Sequence, residues 1–194
     1  MKALAARLAP LGVALVVRPI APGDEAAFPD PTEPLERRRA SGAARLAARA
    51  ALASLFGPAR AALPRSPGRY PLWPEGFVGS LAHDDQTAAA AVARRADVAA
   101  LGVDVEPAAP LPDDVAEIAL FGAERADPAR GRLIFAAKEA VYKAINPLDG
   151  SALEYEDIAV DLASNQARLR DGRALRLAWS EGERLIVVAL FGAR

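Results

Sequence analysis

Ala100-Leu101-Gly102-Val103-Asp104-Val105-Glu106 is the stretch that best indicates both the fold of this chain and the position of its functional site. The run is apolar almost to its end and is followed by Pro107, a pattern that predicts a buried strand. Side chains two positions apart on a strand lie on the same face of the sheet. Asp104 and Glu106 are therefore expected side by side at the end of the strand.

A second charged stretch, Lys138-Glu139-Ala140-Val141-Tyr142-Lys143, falls within a helical pattern. Glu139 and Lys143 are four residues apart, so they are expected to share one face of the helix. If the strand end meets this helix, Asp104, Glu106 and Glu139 supply three oxygen ligands for a hard cation. Mg²⁺ is the expected metal, with Mn²⁺ as an alternative, and the adjacent lysines suit a bound diphosphate.

Each stretch also has an ordinary structural explanation. Acidic residues are common where a strand enters a polar turn, and an exposed Glu139–Lys143 ion pair would contribute roughly a few tenths of a kcal/mol. The occurrence of both stretches, separated by the length of a helix, favours the functional interpretation. Two of the three lysines in the chain, Lys138 and Lys143, fall in the second stretch, which indicates that a compact cationic charge is needed there.

The composition limits the class of protein. The chain has 194 residues, enough for one domain or two small ones, and its net charge of −1 argues against a strongly basic nucleic-acid binder. The absence of cysteine excludes disulfides and thiolate metal sites. No apolar run approaches the roughly 20 residues of a membrane span, and Arg7 and Pro10 interrupt the segment that would form a signal peptide. We therefore expect a soluble, cytoplasmic protein.

The predicted elements occur in an α+β order. Strands are predicted at Val13–Arg18, Phe77–Ala82, Thr87–Arg94, Ala100–Glu106, Ile158–Leu162, Gln166–Leu169, Ala174–Trp179 and Arg184–Phe191. Helices are predicted at 33–56, Leu111–Leu120 and Leu133–Ile145, the last of them ended by Asn146-Pro147. Because a strand, a long helix and further strands occur in each half, we predict two similar α+β subdomains, 1–99 and 100–194. They are expected to be related by a pseudo-twofold axis, with the site in the cleft between them.

The helix at 33–56 carries a cluster of arginines between positions 37 and 49. These arginines either form a solvated face or clamp a phosphate, because the guanidinium fork matches phosphate oxygens. The buried face of the helix is predicted to contain Leu35, Ala43, Leu46, Ala50, Ala53 and Phe56.

His83 is the only histidine and ends the predicted strand Gly79-Ser80-Leu81-Ala82-His83. A lone histidine is more often structural than functional, but at a strand end it can reach a phosphate. A histidine metal site is not expected, since no second histidine exists. The nearby loop 69–74 contains Arg69 and Trp73, and it either lines a purine pocket or anchors a connection.

Together these stretches resemble the motifs of the 4′-phosphopantetheinyl transferases, in particular the monomeric type of the surfactin and enterobactin pathways. Trp73-Pro74-Glu75-Gly76 with 79–83 is similar to the first family motif, 102–106 to the second, and 135–143 to the third. The chain departs from the family at Ala82, where many relatives have serine, and at Phe135, where tryptophan is frequent.

The resemblance implies a role for each of the singled-out residues. Asp104, Glu106 and Glu139 would hold Mg²⁺ on the diphosphate of coenzyme A, while His83 and Lys143 would contact its phosphates. Asp104 and Lys138 are also implied to contact the coenzyme. Its 3′-phosphate and nucleotide end would be bound by three arginines: Arg38, Arg45 and Arg69. Glu124 resembles an acidic residue that the family carries between its second and third motifs.

The implied activity is transfer of the 4′-phosphopantetheine group from coenzyme A to a serine of an acyl or peptidyl carrier protein, with release of 3′,5′-ADP. A serine hydroxyl is a weak nucleophile at neutral pH, so the reaction needs a base. Glu139 is the expected base, with Glu106 second, and Lys143 is expected to stabilise the departing phosphate. The expected partners are coenzyme A and an acidic helical carrier of siderophore, polyketide, peptide or fatty-acid synthesis, and the enzyme is expected to be a monomer.

Two alternatives stay open at this point. The arginine-rich helix would bind nucleic acid if the acidic stretches were merely structural, and binding would then fall steeply with salt. The chain would also fit an inactive relative that binds coenzyme A or a carrier without transfer, although Asp104, Glu106, Glu139 and Lys143 are all present.

Overall fold

Eight strands form two antiparallel sheets in the computed structural model, which describes residues 2–57, 63–66 and 70–193. The strands are β1 (Val13–Pro19), β2 (Phe77–His83), β3 (Thr87–Arg94), β4 (Ala100–Pro107), β5 (Ile158–Asp161), β6 (Gln166–Leu169), β7 (Ala174–Ser180) and β8 (Arg184–Phe191). Four α-helices accompany them in the described ranges: α1 (Lys2–Leu8), α2 (Leu35–Phe56), α3 (Asp113–Ala119) and α4 (Gly131–Asp149).

The two sheets share a strand order. The first sheet runs β1-β3-β2 and the second β4-β8-β7-β6-β5. In the first sheet β1 pairs antiparallel with β3, and β3 pairs with β2. In the second sheet β4 pairs antiparallel with β8, and β8 pairs with β7. The predicted α+β class is thereby confirmed. The pseudo-twofold axis and the division into 1–99 and 100–194 stay predictions.

The central core lies between the two sheets. Alternate residues of β4, namely Leu101, Val103 and Val105, pack against residues of the first sheet such as Ala89 and Ala91. This alternation is the two-residue period of a strand with one face turned towards the core. Helix α1 closes the same core with two leucines, Leu4 and Leu8, which are almost completely buried.

Each long helix covers the outer face of one sheet. Helix α2 packs on β1 and β3, and α4 packs on β8 and β4. The approach of α4 to β4 is closest at Gly102, where a Cβ atom would lie 1.9 Å from the carbonyl oxygen of Ala140. Only glycine fits at this crossing, so Gly102 sets how near the helix lies to the strand that carries Asp104.

Three details of the sequence prediction were wrong. Helix α4 continues through Pro147 to Asp149. Gly150 caps it, because its left-handed φ of 74° allows its N–H to bond the carbonyl of Asn146. Helix α1 was not predicted from the sequence, since it is a short segment of seven residues. The predicted helix at 33–56 begins instead at Leu35, after Pro34.

The predicted buried face of α2 was also largely wrong. Leu35 and Phe56 are exposed, and the buried stripe consists of small residues together with Arg45: Ala40, Gly42, Ala43, Ala44, Ala47, Ala48 and Ala51, followed by Leu52. Alanine occurs on every side of this helix, so hydrophobicity alone could not locate the packed face. Small side chains allow the helix to lie close to the sheet.

No helix in ranges 2–57, 63–66 and 70–193 is long and apolar enough to cross a membrane.

We expect Gly102→Ala to reduce the free energy of unfolding by at least about 3 kcal/mol, because the added methyl group meets backbone that has to move. Thermal unfolding measures this. Gly182→Ala is the matched control, since a Cβ there meets no atom within 4 Å. A melting temperature of Gly102→Ala equal to that of the control would contradict the close crossing.

Candidate active site

Asp104 is buried where β4 passes beneath α4. It lies on the face of β4 that carries Gly102, opposite the core-facing Val103 and Val105, and is 4% exposed. The Nζ of Lys143 on α4 donates to its Oδ1 at 2.5 Å, while Oδ2 is buried without a hydrogen-bond partner in the described part of the chain. One carboxylate oxygen is thus neutralised by an ammonium, and the other is left for a ligand.

Burial raises the pKa of Asp104 to about 6. The ammonium of Lys143 opposes this shift, whereas the negative charges of Glu139 and Glu106 add to it. The strand end and the helix therefore meet as predicted, and the three carboxylates lie close enough to repel one another. This repulsion is the electrostatic condition under which a cation is attracted.

Each of the other two carboxylates is held by a partner that sequence reasoning missed. Arg132, at the start of α4, donates through Nη1 to Oε2 of Glu106 at 2.8 Å. The hydroxyl of Tyr155 donates to Oε1 of Glu139 at 2.6 Å. Neither partner lies in a recognisable motif, so nothing in the sequence indicated them. The alternative explanation, an exposed ion pair between Glu139 and Lys143, is not what the structure shows, since Lys143 bonds Asp104.

The described residues contain no group of three acidic or histidine side chains already converged on a metal position. Asp104, Glu106 and Glu139 are each bonded by a separate donor of the protein. The donor chemistry still fits Mg²⁺, which takes carboxylate oxygens, and the orphaned Oδ2 of Asp104 is such an oxygen.

The ammonium of Lys138, which the resemblance assigns to the coenzyme, is bonded by groups of the protein. Its side chain is fully buried, with Nζ 2.7 Å from Oε2 of Glu124 and 2.9 Å from the carbonyl oxygen of Tyr155. Burial lowers the pKa of Lys138, although Glu124 counteracts this. Glu124 also accepts from the backbone N–H of Val160 and Phe121. The Lys138 ammonium thus joins α4 to two loops, which is a structural role.

A cleft of about 860 Å³ opens between the two halves of the chain, as predicted. One wall comes from α2 and residues 70–83, and the other from the start of β4 and the end of α4. Basic side chains line it: Arg37, Arg45, Arg65, His83, Arg95 and Lys143. Asp104, Glu106 and Glu139 are not among its lining residues, but Lys143 connects the cleft wall to the acidic cluster through its bond to Asp104.

Arg45 is the most deeply placed of the basic residues on α2. Its guanidinium donates to the carbonyl oxygens of Leu63 and Ser41 and stacks 4.0 Å from the ring centre of Phe28. Burial, with two neighbouring arginines, lowers its pKa to about 10. This position on the cleft wall agrees with its predicted phosphate role, which stays a prediction.

The other two predicted arginines differ. Arg37 rather than Arg38 lines the cleft, and Nε of Arg38 is buried with no hydrogen-bond partner in the described ranges. The assignment of Arg38 to the coenzyme stays a prediction. Arg69 lies outside the described residues.

His83 ends β2 at the cleft, as predicted. Crowding by protein atoms lowers its pKa, and the positive charges of Lys143 and Arg37 act in the same direction. The turn that follows is tied to the second sheet, because Arg184 at the start of β8 pairs with both Asp84 and Asp85. This contact fixes the position of His83 relative to the half that carries Asp104.

Comparison with known proteins agrees with this arrangement. Residues 32–93 match the family model of the 4′-phosphopantetheinyl transferase N-terminal domain. Residues 100–189 match that of the 4′-phosphopantetheinyl transferase superfamily. The chain belongs to this superfamily and is an enzyme of the phosphopantetheinyl transferase class.

Three relatives illustrate the similarity. The chain is 41% identical over 169 residues to the 4′-phosphopantetheinyl transferase Svp of Streptomyces mobaraensis, an alignment that covers 75% of this chain and 68% of Svp. It is 42% identical over 129 residues to Npt of Nocardia iowensis, covering 63% and 58% of the two chains. It is 43% identical over 95 residues to PptT of Mycobacterium tuberculosis, covering 45% and 42%. Npt and PptT carry the same enzyme name as Svp.

We expect Lys138→Met to lower the free energy of unfolding by about 3 kcal/mol, because it leaves Glu124 buried without its cation. Urea denaturation measures this, and the exposed Lys2→Met is the matched control. A Lys138→Met variant that is as stable as the control but binds coenzyme A more weakly would return Lys138 to the coenzyme site.

Proposed function

We propose that the chain transfers the 4′-phosphopantetheine group of coenzyme A to a serine hydroxyl of an acyl or peptidyl carrier protein. The observation that carries this proposal is the Lys143–Asp104 pair, which joins a cation-lined cleft to a cluster of three carboxylates. A cleft of that kind suits a long ligand with several phosphates and a diphosphate at one end. Family membership and the names of the relatives support the same reaction.

Basic side chains along the cleft account for coenzyme binding. His83 and Lys143 lie towards the acidic cluster and are assigned to the diphosphate. Arg45, on the part of the cleft wall formed by α2, is assigned to the 3′-phosphate end. Arg37 and Arg65 also line the cleft, where each is paired with Glu33. The phosphate oxygens accept hydrogen bonds from these donors, which orients the reacting phosphorus.

The transfer itself is a substitution at phosphorus. The serine oxygen forms a bond to the β-phosphorus of coenzyme A, the bond from that phosphorus to the bridging oxygen breaks, and 3′,5′-ADP leaves. The serine proton passes to a base, directly or through water. Glu139 is the proposed base, with Glu106 as the alternative, because both carboxylates lie beside Asp104.

Magnesium is the proposed metal of this reaction, with Mn²⁺ as a substitute. Asp104, through its orphaned Oδ2, would hold it together with Glu106 and Glu139. The bound ion supplies charge neutralisation on the diphosphate. Lys143 keeps Asp104 in place in the absence of substrate and places its ammonium next to the phosphates, where it stabilises the charge of the leaving group.

The arginines of α2 give little support to nucleic-acid binding. Arg45 is buried, Arg39 pairs with Glu25 at 3.1 Å, and Arg37 pairs with Glu33 at 3.2 Å. Paired or buried guanidinium groups do not form the exposed basic surface that such binding needs.

The proposal also covers the setting of the reaction. The carrier protein belongs to secondary metabolism, and the enzyme acts in the cytoplasm as a monomer.

Asp104→Asn is expected to abolish formation of the holo-carrier, because the amide loses the charge that Lys143 and the metal require. Mass spectrometry of an apo-carrier incubated with coenzyme A and Mg²⁺ follows the product as a gain of about 340 Da. Asp114→Asn, on the exposed surface of α3, is the matched control. Full transfer by Asp104→Asn would refute the site assignment.

His83→Ala is expected to weaken coenzyme A binding roughly tenfold, the usual consequence of losing one hydrogen bond to a charged group. Calorimetric titration measures the Kd. His83→Gln keeps an N–H donor and should recover part of the loss. If both variants bind coenzyme A as tightly as the unmodified chain, His83 does not contact the phosphates.

A further inference from the structure

Tyr155 contacts the third motif at three points. Its hydroxyl donates to Oε1 of Glu139 at 2.6 Å, and its backbone carbonyl accepts from Nζ of Lys138 at 2.9 Å. Its ring lies against that of Phe135, with 5.8 Å between the ring centres. Phe135, Lys138 and Glu139 belong to neighbouring turns of α4, so one residue from a short 3₁₀ turn spans the part of the helix that carries the reactive carboxylate.

The hydroxyl is the contact that packing does not explain. The ring contact and the bond from Lys138 already attach the turn to α4, and a phenylalanine would preserve both. Tyr155 is half-buried, so its hydroxyl could bond water instead. What the hydroxyl adds is a fixed donor on one oxygen of Glu139.

The three carboxylates of the cluster also differ in the kind of partner they have. Asp104 is bonded by the ammonium of Lys143 and Glu106 by the guanidinium of Arg132, both of them positively charged. Within the described ranges, Glu139 has a neutral donor and no ion pair. A neutral hydrogen bond orients a carboxylate while withdrawing less of its charge than a cation does. Glu139 is thus held in position without a cation that neutralises its charge.

We propose that Tyr155 is a positioning residue for Glu139: its hydroxyl fixes Oε1, so that Oε2 is left for the metal and the attacking serine. This inference rests on the proposed transferase function and deepens it, because it favours Glu139 over Glu106 as the base. Donors that hold a metal-binding carboxylate in this way typically affect metal affinity by about 10- to 100-fold.

The test is Tyr155→Phe, which removes only the hydroxyl. Calorimetric titration of Mg²⁺ into the protein with coenzyme A bound is expected to give a Kd about tenfold higher than that of the unmodified chain. At saturating Mg²⁺, kcat for carrier modification is expected to fall while KM for coenzyme A stays the same. Glu156→Gln, a change at the adjacent exposed residue of the same turn, should leave the Mg²⁺ Kd unaltered.

A double-mutant cycle with Glu139→Gln separates positioning from a general loss of structure. If Tyr155 acts through Glu139, Tyr155→Phe has no further effect on the Mg²⁺ Kd in the Glu139→Gln background. Equal effects in both backgrounds, or an unchanged Kd and kcat in the single variant, would overturn the inference alone. Absence of carrier modification by the unmodified chain would overturn the proposed function and the inference with it.

Discussion

The burial of Asp104 under α4 is the constraint on which the rest of the site depends. Gly102 lets the helix lie against β4, with room for no side chain between strand and helix. The next outward-facing residue on that face, Asp104, is consequently shielded from water, and burying a carboxylate is unfavourable unless a cation compensates. Lys143 provides that cation from the same helix. The contact between α4 and β4 therefore both buries the carboxylate of Asp104 and supplies the cation that compensates it.

The partners of the three carboxylates explain how the cluster can be stable without a metal and still bind one. Each acidic side chain has one oxygen engaged by the protein: Asp104 by Lys143, Glu106 by Arg132 and Glu139 by Tyr155. Burial raises the pKa of Asp104, the charges of Glu139 and Glu106 add to the shift, and Lys143 opposes it. A cation entering the cluster would exploit the remaining oxygens, and electrostatic preorganisation of this type is a major source of rate enhancement.

Much of this site could be predicted from the sequence, because the relevant patterns are local. The two-residue spacing of Asp104 and Glu106 predicted one strand face, and the strand confirms it through the opposite face of Val103 and Val105. The bounds of β3, β6 and β8 were also predicted correctly, since each is an apolar run between turn residues.

Other features depend on contacts between distant segments and could not be predicted. Tyr155 reaches Glu139 from a turn that no pattern connects to α4. The sequence does not distinguish Lys138 from Lys143, yet Lys138 is buried against Glu124 and Lys143 lines the cleft. The packed face of α2 was not predictable because alanine surrounds the helix on all sides. In each case tertiary packing decides between alternatives that local sequence leaves equivalent.

The central claim is that the Asp104 cluster and the cleft bind a single metal–coenzyme unit. Calorimetric titration of coenzyme A into the unmodified protein, with Mg²⁺ and with a chelator in its place, tests this most directly. Linkage requires that a metal shared by protein and ligand strengthen coenzyme binding, here by about tenfold or more. The same coenzyme A affinity with Mg²⁺ and with the chelator would contradict the claim.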